Sequence, residues 1–227
     1  MIQHTYIELF GLQLADPVTF LSDLMMSIVA FYCGHRLFHD FQHIYAKYLG
    51  VFFLFLGLSS LLGGTFHLLD VYFGRTPHLI AWTVQGISML FIGLASVRLI
   101  SQQKAKNFIR LMIYGFFLLF IYQILRIRHF DIVKVNTAIS LIGITSGIHI
   151  YKYFVEKDKK YLMVPLSVLL FVLPAAVHGF HLKMNDWINQ NVISHIILLP
   201  CYYALYVSFR NIAKDIPTSS TQPIQQG

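Results

Sequence analysis

Residues 49–69 read LGVFFLFLGLSSLLGGTFHLL, a run of 21 residues without a single Asp, Glu, Lys or Arg. A helix rises about 1.5 Å per residue and the hydrocarbon core of a bilayer is about 30 Å thick, so about 20 such residues make one span. Six further stretches have the same character: Thr19–Gly34, His78–Ile100, Phe108–Leu125, Val135–Tyr153, Tyr161–Phe180 and Val192–Phe209. The first is the shortest, and the Arg36–His43 region can lengthen it by a turn or two. These runs are twice the length of a barrel strand and do not alternate, so they read as helices, which satisfy their own backbone groups in lipid. The expected fold is all-α, an integral membrane bundle of seven transmembrane helices spanning 17–212. A short segment, 1–16, precedes it, and a Pro/Ser/Thr/Gln-rich tail, 213–227, follows and reads as disordered.

Composition agrees with this reading. Of 227 residues, 56% are hydrophobic and 12% charged, against about 25% charged in a soluble domain. That balance excludes a soluble globular domain and a disordered chain. The two cysteines, Cys33 and Cys201, lie inside apolar runs and form no zinc-finger or CxxC spacing, so they report no redox compartment. Met1–Asp16 lacks a basic n-region and does not read as a cleaved signal peptide. No GxGxxG, P-loop or GxSxG motif occurs, which leaves nucleotide hydrolysis and α/β-hydrolase chemistry without support.

The net charge of +7 orients the bundle and does not point to nucleic acid. The loops after spans 1, 3 and 5 plus the C-terminus hold 12 Lys and Arg: Arg36, Lys47, Arg98, Lys104, Lys106, Arg110, Lys152, Lys157, Lys159, Lys160, Arg210 and Lys214. The opposite side holds 5: Arg75, Arg126, Arg128, Lys134 and Lys183. The positive-inside rule then places the N-terminus out and the C-terminus in, with Arg126–Lys134 as the discordant cluster. A bacterial inner membrane is the expected location.

Ionisable groups inside spans are costly and need a partner or a role. Asp23 lies about one turn into span 1 from the outer side. His67 and Asp70 close span 2 there, and His78, Trp82 and Gln85 open span 3. His178 and His181 close span 6, and Asn191, Ser194 and His195 open span 7. Five helices thus bring Asp, His, Asn or Gln to one leaflet. Neutral imidazoles from separate helices, with a carboxylate behind one of them, are what a zinc site needs. Two plainer readings stand beside this one. His, Asn and aromatic residues populate bilayer interfaces, which accounts for His78, His181 or Trp82, and His67 and His195 can serve as interhelical hydrogen-bonding groups. Gly63 and Gly64 would allow a neighbouring helix close approach. Inward, His35, His39 and His43 fall at i, i+4, i+8 and share one helix face. With Arg36, Asp40 and Gln42 they read as an exposed amphipathic turn, and His149 as an interface residue near Lys152.

Seven spans, an outward N-terminus, a Ser…His…Asp group late in span 2 and a His in span 7 resemble the seven-helix superfamily of membrane metal-dependent hydrolases. That superfamily includes alkaline ceramidases and the progestin and adipoQ receptors. Thr19–Asp23, Gly63–His67 and Asn191–His195 also look like a family of uncharacterised bacterial membrane proteins on the same plan. The resemblance implies zinc held by His67 and His195, with Ser59 or Ser60 as the assisting serine. The sequence departs from the superfamily at two points: Gly63 stands four residues before His67, and span 7 has no HxxxH, since Asn191 and Leu199 flank His195 at four residues. A third ligand then comes from His178, or from Asp70 or Asp23. In this reading zinc sits on His67, His178 and His195. Asp23 or Asp70 orients a ligand or acts as general base, Ser60 or Ser194 steadies the oxyanion, and the substrate is a lipid-like amide or ester. The alternatives are a receptor, sensor or small-molecule binder on the same bundle, and then a haem-binding or transport protein.

Overall fold

The computed structural model describes residues 5–74 and 76–217. Seven helices are long and apolar enough to cross a membrane: α1 (Pro17–Asp40), α2 (Ile44–Leu68), α3 (His78–Val97), α4 (Gln103–Ile127), α5 (Phe130–Glu156), α6 (Lys159–Gly179) and α7 (Gln190–Ala213). The chain is an integral, multi-pass membrane protein by this architecture. All but α3, which stops at Val97 short of Ile100, start before the apolar run that announces them. α4 starts at Gln103 and carries Lys104, Lys106 and Arg110 in its first two turns, where long cationic side chains reach the interface while their stems stay in the apolar zone. Of the tail expected to be disordered, 218–227 lies outside the described residues, as do 1–4 and Arg75.

A β-hairpin precedes the bundle, which the sequence reading did not foresee. Tyr6–Leu9 pairs antiparallel with Leu12–Ala15, with Tyr6 opposite Ala15 and Leu9 opposite Leu12. Phe10 and Gly11 both have positive φ, 53° and 75°, the backbone of a two-residue turn whose twist matches the strands. Asp16 ties the hairpin to the start of α1: its backbone N–H donates to the Thr5 carbonyl at 2.8 Å, and its carboxylate accepts from the Thr5 N–H at 3.2 Å.

α1, α2, α3 and α7 form the tightly packed part of the bundle, and α4 lies against it with most of its surface open to lipid. Lipid tails are as apolar as the helices, so close packing and interhelical hydrogen bonds hold such a bundle together. Ser88 Oγ donates to the Phe52 carbonyl at 2.8 Å and Ser59 Oγ to the Ala81 carbonyl at 2.9 Å, both stitching α3 to α2. Ser167 and Ser208 hydroxyls meet at 2.7 Å between α6 and α7.

Two spans are irregular. α6 is built of a 3-10 turn, Lys159–Leu162, then Met163–Leu169, then Val172–Gly179. The break at Leu170–Phe171 follows from Pro174, which has no N–H for the Leu170 carbonyl; the Leu173 N–H takes that carbonyl instead at 3.1 Å. α5 is wound as a π-helix over Ile139–Ser146. Just beyond it His149 is fully buried, its Nδ1 2.7 Å from the Thr145 carbonyl and its ring against Phe209 and Tyr161. The ring is a core residue of the bundle, packed inside it and not on its surface.

The expected histidine stripe is also broken. α1 ends at Asp40, and His43 is the N-cap of α2, its Nδ1 accepting from the Ala46 N–H at 3.3 Å. Only His35 and His39 share a helix, both exposed, with ring centroids 6.0 Å apart.

Candidate functional site

At the hairpin end of the bundle, the first turns of α1 and α7 meet the last turns of α2 and α6. Ser22 and Asp23 are buried on α1, and His195 faces them from α7. His195 Nδ1 lies 2.9 Å from Ser22 Oγ and 3.7 Å from Asp23 Oδ1. Ser22 Oγ is also 2.8 Å from the Thr19 carbonyl, which can only accept. The single hydroxyl proton of Ser22 is thereby committed to Thr19, so Ser22 accepts from His195 and Nδ1 carries the ring proton. Nε2 is left with its lone pair, the form of imidazole that binds a metal or takes a proton from a ligand.

Around this pair stand the other histidines. His67 and His178 are within electrostatic reach of the His195 ring. The His67 ring packs edge-on against His78, centroids 4.7 Å apart, and His178 stands near Asn191 and beside Phe130. The Tyr202 hydroxyl stands near Ser60 and within electrostatic reach of Asp23, two turns deeper along α7 than His195. Gly64 of α2 covers Asp23 so closely that an added Cβ would stand 2.7 Å from Asp23 Cβ.

Of the seven residues singled out in the sequence, Asp23 and His195 meet here, with His67 and His178 within electrostatic reach of the ring. Ser60 borders the group through Tyr202, while its own hydroxyl donates to the Leu56 carbonyl at 3.2 Å. Ser194 points the other way and donates to the Pro174 carbonyl at 3.2 Å, tying α7 to the broken span α6. Asp70 stands beyond the end of α2 in a one-turn helix, Asp70–Phe73, and the carboxylate beside His195 is that of Asp23. The structure adds Ser22, His78 and Tyr202. A serine next to Asp23 on an apolar helix gave no reason to choose it, and His78 read as an interface residue but is buried against His67, Phe66 and Trp82.

The donor set suits zinc in kind: neutral imidazoles from three helices, with a serine and a carboxylate orienting one ring. It does not suit zinc as arranged. Among the described residues no three His, Cys, Asp or Glu side chains are grouped so as to hold a metal ion.

Residues 18–214 match the model of a family of unknown function, DUF6962. The chain belongs to that family. The match takes in all seven spans, and with them Ser22, Asp23, His67, His178 and His195, while the hairpin lies before it. No curated protein and no solved structure matches the chain. Family membership brings no activity with it, and the match does not extend to the ceramidase and adipoQ receptor superfamily.

Proposed function

We propose that the cluster around His195 is a ligand-binding site of a membrane receptor, sensor or small-molecule binding protein, facing the outer leaflet, and that His195 Nε2 is the acceptor that meets the ligand. The observation that carries this is the Ser22–His195 hydrogen bond, because it fixes which nitrogen is free. A part-buried acceptor selects ligands that bring a donor to it, and disfavours analogues lacking one, since these would displace its water without replacing the hydrogen bond. A site opening within a bilayer recruits its ligand from the lipid phase, so the ligand class is an amphiphile with an amide N–H or a hydroxyl at its polar end. The test uses purified protein treated with a chelator and a panel of fatty amides, alcohols and their methylated analogues. Donor-bearing members raise the melting temperature, methylated ones do not, and His195→Gln erases the difference. No shift with any member, or an equal shift with the methylated set, overturns the reading.

A second reading starts from His67 and His178, which are within electrostatic reach of the Nε2-bearing ring. Here His67, His178 and His195, not grouped for a metal as they stand, close on a zinc ion with Asp23 backing His195, and the site hydrolyses a lipid-like amide or ester. Metal analysis decides it. Close to one zinc per chain, lost in His67→Ala and in His195→Ala, supports hydrolysis, and zinc far below one equivalent removes it.

A further inference from the structure

At the opposite end of the bundle from His195, Arg36 of α1 and Arg210 of α7 hold the same carboxylate oxygen. Their Nη2 atoms lie 3.0 and 3.2 Å from Asp40 Oδ2, while His39 Nδ1 stands 3.3 Å from Oδ1. One carboxylate thus faces two permanent cations, and the cluster keeps a positive charge. Each guanidinium has five N–H donors, and each makes one hydrogen bond. The Nε atoms of both are buried without a partner, although the side chains as a whole are 39% and 35% exposed. Two half-exposed forks with spare donors, already desolvated at Nε, match the oxygens of a phosphate group.

What leads up to this pair is apolar. Leu21, Met25, Ile28 and Tyr32 are all more than half exposed and follow one another at helical spacing along the face of α1 that runs toward Arg36. On α7, Ile196 and Tyr203 are equally exposed and lie two and one double turns before Arg210. The stripes flank Tyr206, whose ring contacts both Tyr32 and Tyr203. From Leu21 to Tyr32 is about 16 Å at the helical rise, close to half the thickness of the hydrocarbon core. This end of the chain also carries the 12 Lys and Arg of the positive side against four acids, Asp40, Glu156, Asp158 and Asp215.

We propose that Arg36 and Arg210 form a phosphate site for an anionic membrane phospholipid, whose acyl chains lie along the α1 and α7 stripes. Asp40 holds the two guanidiniums in register and leaves one unit of positive charge for the headgroup. Charge surplus favours a headgroup with net negative charge over a zwitterionic one.

The experiment is thermal unfolding of the full-length, delipidated protein in detergent, titrated with phosphatidylglycerol, phosphatidylcholine or inorganic phosphate. Phosphatidylglycerol is expected to raise the melting temperature saturably and at severalfold lower concentration than phosphatidylcholine, with inorganic phosphate ineffective in the same range. The preference should vanish in Arg36→Gln/Arg210→Gln. It should be weakened severalfold in Arg36→Lys and Arg210→Lys, which keep the charge and the pairing with Asp40 and serve if the double variant does not fold. Equal response to the two lipids in the native protein, or a preference that survives in the lysine and glutamine variants, overturns the proposal. A shift by inorganic phosphate equal to that of phosphatidylglycerol overturns the lipid and assigns the pair to free phosphate.

Discussion

A methyl group on Gly64 would stand 2.7 Å from the Cβ of Asp23, closer than real side-chain atoms approach one another. The neighbour in the way is the root of a buried side chain on α1, which cannot swing aside as a flexible tip would. Gly63, one position earlier, has nothing within 4 Å of its hypothetical Cβ. Gly64→Ala is therefore expected to push α1 and α2 apart and cost about 1–3 kcal/mol, whereas Gly63→Ala should be within about 0.5 kcal/mol of the parent or slightly stabilising. Thermal or denaturant unfolding of the two variants in the same detergent checks this. Similar losses in both would mean that the α1–α2 approach is not set by Gly64.

The Ser22–His195 bond predicts a coupling that single substitutions do not reveal. Ser22→Ala removes the acceptor at 2.9 Å and leaves Asp23, at 3.7 Å, to take over the Nδ1 proton. The loss should be about 1 kcal/mol, since a short hydrogen bond is exchanged for a longer, weaker contact. His195→Phe removes the same bond from the other side. In a double-mutant cycle the two should be non-additive by about 0.5 kcal/mol or more, as expected for residues in one network. Strict additivity would show that the two side chains do not bond in the membrane.

Much of this site could be read from the chain, and the reason lies in the cost of burying polar groups in lipid. Asp23, His67, His178 and His195 stand out because an apolar span gives them no cheap alternative to a partner. Ser22 does not stand out, because a hydroxyl can satisfy itself on its own helix, as Ser22 does on Thr19. Asp70 stands apart for a geometric reason: i, i+3 from His67 places two residues on one face only while the helix continues, and α2 ends at Leu68. The same limit broke the His35/His39/His43 face. The spans were legible to within a few residues, since apolar length decides them, while their polar ends were not. The hairpin escaped because four-residue strands carry little periodic signal, and Phe10 at its turn is not a usual turn former.

His149 gives a prediction about which histidines hold the fold. Its ring is fully buried among Tyr45, Tyr161 and Phe209, with Nδ1 bound to the Thr145 carbonyl and Nε2 3.5 Å from the Tyr45 hydroxyl. His149→Ala opens a cavity in packed surroundings and should cost about 2–4 kcal/mol. Tyr151, two residues on and more than half exposed, faces lipid, and Tyr151→Ala should cost under about 1 kcal/mol. Under the proposed function, His149→Ala protein that still folds should keep the ligand response that His195→Gln loses. A lost response in folded His149→Ala protein would place a second working histidine in α5.

His43 predicts a dependence on pH at the end of the bundle that carries Asp40. Its Nε2 lies 3.0 Å from the Ala213 carbonyl and must donate, so Nδ1 is the unprotonated nitrogen that accepts the Ala46 N–H and caps α2. Adding a proton to Nδ1 turns that acceptor into a donor facing a donor. Burial holds the His43 pKa below its ordinary value, and the Ala213 carbonyl only partly offsets this. A histidine with a lowered folded pKa binds protons more readily when unfolded, so its share of stability is complete above about pH 6.5 and is lost as pH falls through the folded value. The melting temperature should therefore drop between pH 7 and pH 5. His43→Asn, which keeps a capping oxygen that does not titrate, should flatten that part of the curve while changing the value at pH 7.5 little. A slope between pH 7 and pH 5 that is the same in the parent and in His43→Asn would show that another group carries it.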